Sequence, residues 1–310
     1  MTSVTAFAPA TVANVAVGFD LLGFACDAVG DRVTVSLRSG SDDIVIEEIT
    51  GVATSLPRDA ARNTASVALR ALQADRKLAH GFRLRIDKGI ALSSGMGGSA
   101  ASAVAAVVAA DRLLGLGLTK SQLVSYALAG EEAASGARHA DNVAPCVYGG
   151  LTAVVSHEPL QILEIPVPTA LCCALVHPHA QVETAAARAL LRREVKLTDH
   201  VQQSARLAGF LAGCFQGNLA LIHASMQDLI IEPQRQHLVA GFAEVKQAAL
   251  AAGALGCSLS GSGPSVFAWA DSRVSAERVK AAMVAAMAPH HAGVDAYVAQ
   301  VHSVGAHVVE

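Results

Sequence analysis

The first third of the chain alternates hydrophobic and polar residues with a period of two. The alternation covers three runs, at residues 33–37, 44–46 and 82–86. A period of two is typical of β-strands with one buried face. Between the second and third runs, residues 63–72 carry hydrophobic side chains at the three- to four-residue spacing of a helix. We therefore expect three strands and one helix in this part of the chain.

An alanine- and valine-rich run at residues 100–114 follows the third strand after a glycine- and serine-rich loop. Its length and alanine content predict a helix, so the local order is strand, loop, helix. A second helix is predicted at 121–134, with Thr119 as its N-cap and Gly136 at its end. The last turn of this helix carries Glu131.

The rest of the chain has a mixed pattern. Apolar strands are predicted at 151–155 and 170–176, and the proline-rich stretch between them is the best candidate for a domain junction. A boundary near residue 160 gives an N-terminal domain, 1–160, and a C-terminal domain, 161–310. The spacing then predicts helices at 184–192, 201–225, 238–252 and 275–287, a strand-loop-strand at 257–269 and a final strand at 297–301. The predicted fold class is α+β.

Composition and charge favour a protein that binds small molecules. The chain has 310 residues, of which 52% are hydrophobic, and a net charge of -3, so no overall positive charge attracts nucleic acid or a membrane surface. The six cysteines have no C-x-x-C spacing and are expected to be reduced thiols of a cytoplasmic protein. We expect no leader peptide, and the longest apolar stretch, 100–110, is far shorter than the roughly 20 residues of a membrane span.

The glycine- and serine-rich loop, residues 92–102, is the candidate site of chemistry. A loop of small residues that enters a helix N-terminus offers unpaired N–H groups and the positive end of the helix dipole, which suit the triphosphate of a nucleotide. A tight turn, in which Gly95, Gly97 and Gly98 only let the strand enter the helix, explains the same glycines. Both interpretations remain open on spacing alone.

Two other nucleotide-binding loops fit less well. No lysine follows the glycines, so the P-loop pattern is absent. Residues 95–100 satisfy G-x-G-x-x-A, but 115–120 lack the acidic residue that a dinucleotide site needs about 20 positions later. Without a lysine in the loop, we expect backbone amides, the helix dipole and a divalent cation to meet the phosphate charge. Ser99 and Glu131 are the natural ligands for Mg²⁺.

Four separated segments of the chain carry longer motifs. In chain order they are 9–23 (PATVANVAVGFDLLG), 91–100 (ALSSGMGGSA), 130–145 (GEEAASGARHADNVAP) and 260–265 (SGSGPS). Together they resemble the GHMP kinase superfamily and, more narrowly, the homoserine kinases. The third segment, similar to E-x-x-x-S-G-x-x-H-x-D-N-V-A-P, is highly specific. The resemblance covers essentially the whole chain.

This resemblance implies a fold and a reaction. The fold would be a two-domain GHMP kinase fold, with an N-terminal domain like the second domain of ribosomal protein S5 and a ferredoxin-like C-terminal domain. The reaction would transfer the γ-phosphoryl group of ATP, with Mg²⁺, to the side-chain hydroxyl of L-homoserine, giving O-phospho-L-homoserine for threonine biosynthesis. Positioning and charge stabilisation can supply most of the rate of such a transfer, so we expect no dedicated catalytic base. Family members are often homodimers.

The resemblance also implies three groups of site residues. The nucleotide would contact Asn63, Ala91, Leu92, Ser93, Ser94, Gly95, Met96, Gly97, Gly98, Ser99, Ala100 and Ala101. Homoserine would contact Asn14, Asp20, His139, Asp141, Asn142, Thr184, Arg188, Arg235 and Gly261. Ser99 and Glu131 would hold the metal. An amino-acid substrate needs an anion for its ammonium group, such as Asp20, and arginine donors for its carboxylate.

Several alternatives remain beside this interpretation. The loop has Ala91 where the family usually has proline and Gly98 where it usually has serine, and we expect altered flexibility there rather than lost phosphate binding. The chain could phosphorylate another alcohol, such as mevalonate, or bind nucleotide without catalysis.

The histidines and arginines named above also have other interpretations. Zinc could be held by the pair of His139 and Asp141 or of His177 and His179, although a pocket and a turn are the simpler interpretations. Arg188 and Arg235 could be ordinary surface side chains.

Overall fold

Two β-sheets organise the part of the chain that the computed structural model describes, residues 2–136 and 138–309. The larger sheet has seven strands: β1 (Ser3–Ala13), β2 (Leu22–Arg38), β3 (Ile44–Gly51), β4 (Gly81–Lys88), β5 (Leu151–His157), β6 (Leu160–Ile165) and β11 (His307–Val308). The smaller sheet has four: β7 (Cys172–Pro178), β8 (Gly256–Leu259), β9 (Val266–Ala270) and β10 (Val294–Gln300).

The described residues form ten α-helices around these sheets. They are α1 (Thr64–Arg76), α2 (Gly98–Leu114), α3 (Lys120–Ser135), α4 (Ala140–Tyr148), α5 (Thr184–Ala189), α6 (Leu197–Gln216), α7 (Leu219–Ser225), α8 (Glu232–Arg235), α9 (Phe242–Ala251) and α10 (Arg273–Met287). The predicted mixture of helices and strands is confirmed.

The central strand of the larger sheet is β2, which lies between β1 and β4. β3 lies beyond β4 and is parallel to it. Such a pair needs a crossover connection, which α1 provides. β5 pairs with the start of β2 and with β6, whereas the smaller sheet has the antiparallel order β10, β7, β9, β8. The sheet that contains β5 therefore continues to Ile165, and the boundary at residue 160 stays a prediction.

Local sequence signals explain several helix ends. Thr119 caps α3 in a capping box with Gln122, which ties two otherwise unpaired N–H groups at the helix start. The helix ends at Gly136, whose φ of 70° is left-handed. Both ends were predicted. The helix predicted at 63–72 is α1, which runs further, with Asn63 as its N-cap.

Other boundaries differ from the prediction. The single helix predicted at 201–225 is wrong: Gly217 is left-handed and ends α6, and Asn218 then caps α7. α5 ends three residues before the predicted 192, α9 begins at Phe242 rather than 238, and β10 is followed by β11. The pattern missed β1 because its residues from 8 to 13 are all buried and show no alternation. It also missed α4, which contains Pro145, a residue that normally breaks helices.

The two sheets meet through aromatic side chains. Phe24 of β2 makes edge contacts with Phe267 and Trp269 of β9, at ring-centroid distances of 5.7 and 5.6 Å. The helix that follows the glycine loop, α2, is buried along most of its length, and its own buried side chains are small. It therefore packs closely on β1 and β2. This contact fixes the N-terminus of α2 at the junction of the sheets. Within the described residues, no helix has the length and apolar character needed to cross a bilayer.

Candidate active site

A cavity of about 610 Å³ opens at the N-terminus of α2. Most of the residues predicted for the site contribute to its wall: Asn14, Asp20, Asn63, Ala91, Leu92, Ser93, Ser94, Gly95, Gly97, Gly98, Ser99, Glu131, His139, Asp141, Asn142, Thr184, Arg188, Arg235 and Gly261. The structure does not bring Met96, Ala100 or Ala101 to the wall. Their side chains point into the core and are at most 1% exposed, because they are the apolar residues that anchor the loop and the first turn of α2.

Hydrogen bonds from the chain segment that precedes β9 fix the position of the glycine loop. Ser260 donates its hydroxyl to the carbonyl of Gly95 at 2.6 Å, and Ser265 donates to the carbonyl of Ser94 at 2.7 Å. A side chain at Gly95 would lie only 2.5 Å from the carbonyl oxygen of Ser260. This close approach requires glycine and explains why the 260–265 motif accompanies the loop.

The loop ends in a left-handed residue, Gly97, which is the N-cap of α2. The cap has no side chain to satisfy the first N–H groups of the helix, so these groups remain available to an anion. The tight-turn interpretation and the anion-site interpretation therefore describe the same geometry: the glycines make the turn, and the turn exposes the amides.

A hydroxyl and a carboxylate meet beside these amides. Ser99, in the first turn of α2, donates its hydroxyl to Glu131 Oε2 at 2.6 Å. Glu131 comes from the end of α3 and is 4% exposed. Two oxygen atoms at the mouth of an anion site are the donor set that Mg²⁺ uses when phosphates and water complete its octahedron. The described residues contain no cluster of three or more His, Cys, Asp or Glu side chains suited to a metal.

Sequence reasoning missed Lys88, which places a positive charge beneath the loop. Its Nζ donates to Asp31, to the carbonyl of Gly98 at 2.8 Å and to Ser102 Oγ at 2.9 Å. Lys88 and Asp31 are almost fully buried, yet Lys88 also reaches the cavity wall. The expectation that no lysine serves the loop was therefore incomplete. The available signal was a lysine at the end of the strand that leads into the loop.

The buried carboxylate of Asp31 is fully engaged. Its Oδ1 accepts from the backbone N–H groups of Gly89 and Ile90 at 3.1 and 3.2 Å, and its Oδ2 accepts from Ser102 at 2.7 Å and from Lys88. A buried ion pair needs such additional hydrogen bonds to offset its loss of hydration. The network ties the end of β4 to the start of α2.

The opposite wall carries a cluster of charges. Arg188 of α5 forms two hydrogen bonds with Asp20, at 2.9 and 2.7 Å, and Asp20 raises the pKa of Arg188. Arg235 is 3% exposed and donates to the backbone carbonyls of Ala187 and Gly261. Neither arginine is an ordinary surface side chain. Phe19, which the sequence did not single out, lies beside both and also reaches the cavity.

Two polar residues of the first motif orient this wall. Asn14 donates to the carbonyl of Gly261 at 2.9 Å and accepts from the N–H of Asp20 at 3.1 Å. Thr11, which is fully buried, donates its hydroxyl to Asn142 Oδ1 at 2.8 Å. The oxygen of the Asn142 amide therefore faces the protein, and its NH₂ group is directed away from Thr11.

The start of α4 contributes two titratable groups. Burial, and then the negative charges of Asp20 and Glu131, raise the pKa of Asp141 to about 7. Burial, and then the positive charge of Arg188, lower the pKa of His139. Asp141 is therefore partly protonated near neutral pH, and His139 is mainly uncharged.

The remaining predicted residues lie at helix starts. Asn63 accepts from the N–H of Ala65 and donates to the carbonyl of Pro57, so its amide is used within the chain while it forms part of the wall. Thr184 is the first residue of α5 and faces the cavity one turn before Arg188. The other histidine pair has separate partners: His177 bonds with Ser265, and His179 bonds with Asp295.

Comparisons with known proteins agree with this arrangement. The family model of the GHMP kinases N terminal domain matches residues 63–150, and that of the GHMP kinases C terminal matches residues 207–289. The chain is 49% identical over 304 residues to a homoserine kinase of Xanthomonas campestris, covering 98% of this chain and 93% of the relative. It is 43% identical over 292 residues to a homoserine kinase of Chloroherpeton thalassium, covering 91% and 92%.

Solved structures extend the likeness to the fold. The crystal structure of a homoserine kinase from Cytophaga hutchinsonii superposes with a TM-score of 0.96 at 43% identity, covering 100% of this chain and 98% of that one. A mevalonate kinase of L. major, at 18% identity and a TM-score of 0.71 with 95% of each chain covered, shares the fold alone. Mevalonate kinase, the alternative that the sequence left open, is therefore not favoured. With the predicted fold confirmed, the chain belongs to the homoserine kinase family of GHMP kinases and is an ATP-dependent phosphotransferase.

Proposed function

We propose that this protein transfers the γ-phosphoryl group of ATP to the side-chain hydroxyl of L-homoserine, giving O-phospho-L-homoserine. The observation that carries the proposal is one cavity with two different ends. One end offers the unpaired amides of α2, and the other offers a carboxylate and two guanidinium groups. A nucleotide and a zwitterionic amino acid have the matching charges.

The glycine loop is the proposed triphosphate site. The amides at the start of α2 and the helix dipole attract the phosphates, and Lys88, paired with Asp31, holds the start of α2 through its hydrogen bond to the carbonyl of Gly98. Ser99 and Glu131 are the proposed Mg²⁺ ligands, and the metal would neutralise charge on the phosphates. Ser99 would then turn its hydroxyl proton away from Glu131 and present its lone pairs.

The charge cluster is the proposed homoserine site. Asp20 receives the substrate ammonium group, and Arg188 and Arg235 bind its carboxylate. In the protein alone, Asp20 and Arg188 neutralise each other. The substrate supplies one charge of each sign, so it can replace this pair without leaving either residue unpaired.

The acceptor hydroxyl would lie near Asn142, Asp141 and Thr184, between the two ends. Phosphoryl transfer has a loose transition state, in which the bond from the hydroxyl oxygen to phosphorus is only slightly formed, so this oxygen gains little positive charge and can keep its proton until late in the transfer. Orientation and charge stabilisation therefore suffice, and we propose no dedicated base. The NH₂ group of Asn142 is a suitable donor to an oxygen of the transferring group.

A substrate panel tests the proposed function. ADP release is measured with Mg-ATP and each of homoserine, mevalonate, galactose and shikimate. Homoserine should give the highest kcat/KM by a wide margin. No homoserine-dependent turnover would end the proposal, and equal turnover of mevalonate would show that the charge cluster does not select the substrate.

The metal ligands need a test of their own. Ser99→Ala should weaken Mn²⁺ binding to the enzyme-ADP complex, measured by electron paramagnetic resonance, and should raise the Mg²⁺ concentration required for half-maximal activity. Ser125→Ala is the matched control because Ser125 is an exposed serine of α3 whose hydroxyl donates to the carbonyl of Ser121. Equal metal binding by both variants would remove Ser99 from the metal site.

A further inference from the structure

Phe19 is the aromatic ring of the acceptor end of the cavity. The guanidinium carbon of Arg188 lies 5.4 Å from the centre of this ring, and that of Arg235 lies 5.2 Å from it. Both distances are within the range of cation–π attraction. One ring therefore contacts both arginines that we assign to the substrate carboxylate.

The two arginines differ in the groups that neutralise or bind their guanidinium charge. Arg188 has the carboxylate of Asp20. Among the described residues, no carboxylate lies within ion-pair distance of Arg235, which donates to the backbone carbonyls of Ala187 and Gly261. Burial, and then the charge of Arg188, lower the pKa of Arg235. Two like charges therefore lie near each other, and the ring of Phe19 attracts both in addition to the carboxylate of Asp20.

The backbone beneath Phe19 is a closed and strained turn. Asn14, Val15, Ala16 and Asp20 have φ between 43° and 73°, a left-handed conformation that is unfavourable for residues with a side chain. Short backbone hydrogen bonds retain this shape: Asn14 N–H to Leu22 O at 2.7 Å, and Gly18 N–H to Asn14 O at 2.8 Å. The turn places Phe19 next to Asp20 and leaves the ring little freedom to move away.

We propose that Phe19 is a positioning residue that holds the guanidinium groups of Arg188 and Arg235 side by side, so that both can bind one carboxylate. This inference rests on the proposed function. Without the ring, less attraction would oppose the repulsion between the two arginines once the substrate ammonium group takes over Asp20, and the substrate would have to supply the difference in free energy. Because the turn fixes the ring of Phe19 before the substrate binds, this free-energy cost is smaller, and KM for the amino acid is lower.

The arrangement leaves donors for the carboxylate. The Nε–H of Arg188 is buried and has no hydrogen-bond partner among the described residues, although the other two nitrogens of this side chain bond to Asp20. When the ammonium group takes over Asp20, the whole fork of Arg188 becomes available beside Arg235. Phe19 keeps the two forks in place during this exchange, because its attraction does not depend on Asp20.

The experiment is a double-mutant cycle between Phe19 and Arg235, with kcat and both KM values measured. Phe19→Leu should raise KM for homoserine about tenfold and leave KM for ATP unchanged. Phe19→Tyr retains the ring and should stay within about twofold of the wild type. In the Arg235→Ala background, Phe19→Leu should change kcat/KM for homoserine less than about twofold, since Asp20 already holds Arg188 and no second guanidinium group remains to be held beside it.

Each contrary result overturns the inference. A tenfold effect of Phe19→Leu in both backgrounds would mean that the ring only lines the pocket, and an unchanged KM would mean that it does nothing for the substrate. If Phe19→Leu does not fold, by circular dichroism and thermal unfolding, Phe19→Met takes its place in the cycle. A wild-type enzyme without homoserine turnover would defeat the proposed function instead, so the two failures are distinguishable.

Discussion

Asp20 and Arg188 lie 168 positions apart in the sequence and form a two-bond ion pair on one wall of the cavity. Their side chains are 41% and 39% exposed, and an ion pair that is open to solvent contributes only about 0–1 kcal/mol to stability. The pair can therefore be exchanged at little cost. We infer that Asp20 and Arg188 neutralise each other until a molecule with both charges enters.

This relationship leads to a prediction for Arg188→Ala. Loss of two charge-assisted hydrogen bonds to the substrate carboxylate should raise KM for homoserine by about 100-fold, with KM for ATP within twofold of the wild-type value. Steady-state kinetics with each substrate varied in turn gives both numbers. Arg193→Ala, at an exposed position shortly after α5, is the control and should match the wild type. Equal increases in both KM values would show that the assigned role is wrong.

The two adjacent glycines Gly97 and Gly98 should respond very differently to alanine. At Gly97, φ is +66° and a Cβ would lie 2.0 Å from Thr11 Oγ1, so Gly97→Ala should lower the free energy of unfolding by several kcal/mol, roughly the sum of backbone strain and overpacking. At Gly98 the nearest atom to a Cβ is Ile90 Cγ2 at 3.1 Å. Gly98→Ala should remain within about 1 kcal/mol of the wild type. Urea unfolding measures both.

The space around a Cβ at position 98 also predicts what happens when Gly98 is replaced by the serine that the family usually has there. Gly98→Ser restores the usual family residue and should retain ATP binding, because the nearest atoms to a Cβ at this position, from Ile90 and Lys88, lie 3.1 to 3.5 Å away. Nucleotide affinity by calorimetry provides the check. A loss of ATP binding in Gly98→Ser would mean that this loop depends on the missing side chain.

Thr11 and Asn142 give a prediction about kcat. Thr11→Val keeps the shape of the side chain but removes the hydroxyl that donates to Asn142 Oδ1, so the amide can turn its oxygen toward the phosphates. We expect kcat to fall about tenfold, equivalent to one lost hydrogen bond, with both KM values nearly unchanged.

Thr11→Ser is the matched control for this prediction, since it keeps the hydroxyl and should keep kcat. A lower melting temperature for Thr11→Val without any change in kcat would assign Thr11 a purely structural role.

The raised pKa of Asp141 predicts that the stability of the protein depends on pH. Its pKa is 3.8 in the unfolded chain and about 7 in the folded protein. The folded state therefore binds this proton more tightly, so the contribution of Asp141 to stability is fully present below pH 3.8 and is lost as the pH rises toward 7. Asp141→Asn removes this loss. The free energy of unfolding of Asp141→Asn, relative to that of the wild type, should increase by roughly 2–3 kcal/mol between pH 5 and pH 8.5.

Urea unfolding at the two pH values tests this prediction. Asp42→Asn, at an exposed carboxylate, should show no such trend. A difference between Asp141→Asn and the wild type that is constant with pH would mean that Asp141 is already ionised in the folded state at pH 5.

Much of the local structure follows from the sequence alone because its signals act over a few residues. The alternation in β2, β3 and β4 and the cap at Thr119 depend on neighbours in the chain. The pattern failed where burial on both faces removed the alternation, as in β1, and where a single glycine divided a long hydrophobic run, as at Gly217. The order of the four motifs along the whole chain indicated the family, whereas no single motif was sufficient to identify it.

The sequence by itself determined that a glycine loop enters a helix, that Ser99 and Glu131 carry suitable oxygens and that charged residues recur in the family's order. Only the tertiary structure decided which of these meet. Lys88 beneath the loop, the Asp20–Arg188 pair and the contacts of Phe19 with two arginines all depend on segments that are distant in the sequence. Such contacts leave no periodic trace in the sequence, because they are set by the packing of whole elements rather than by the spacing of neighbouring residues.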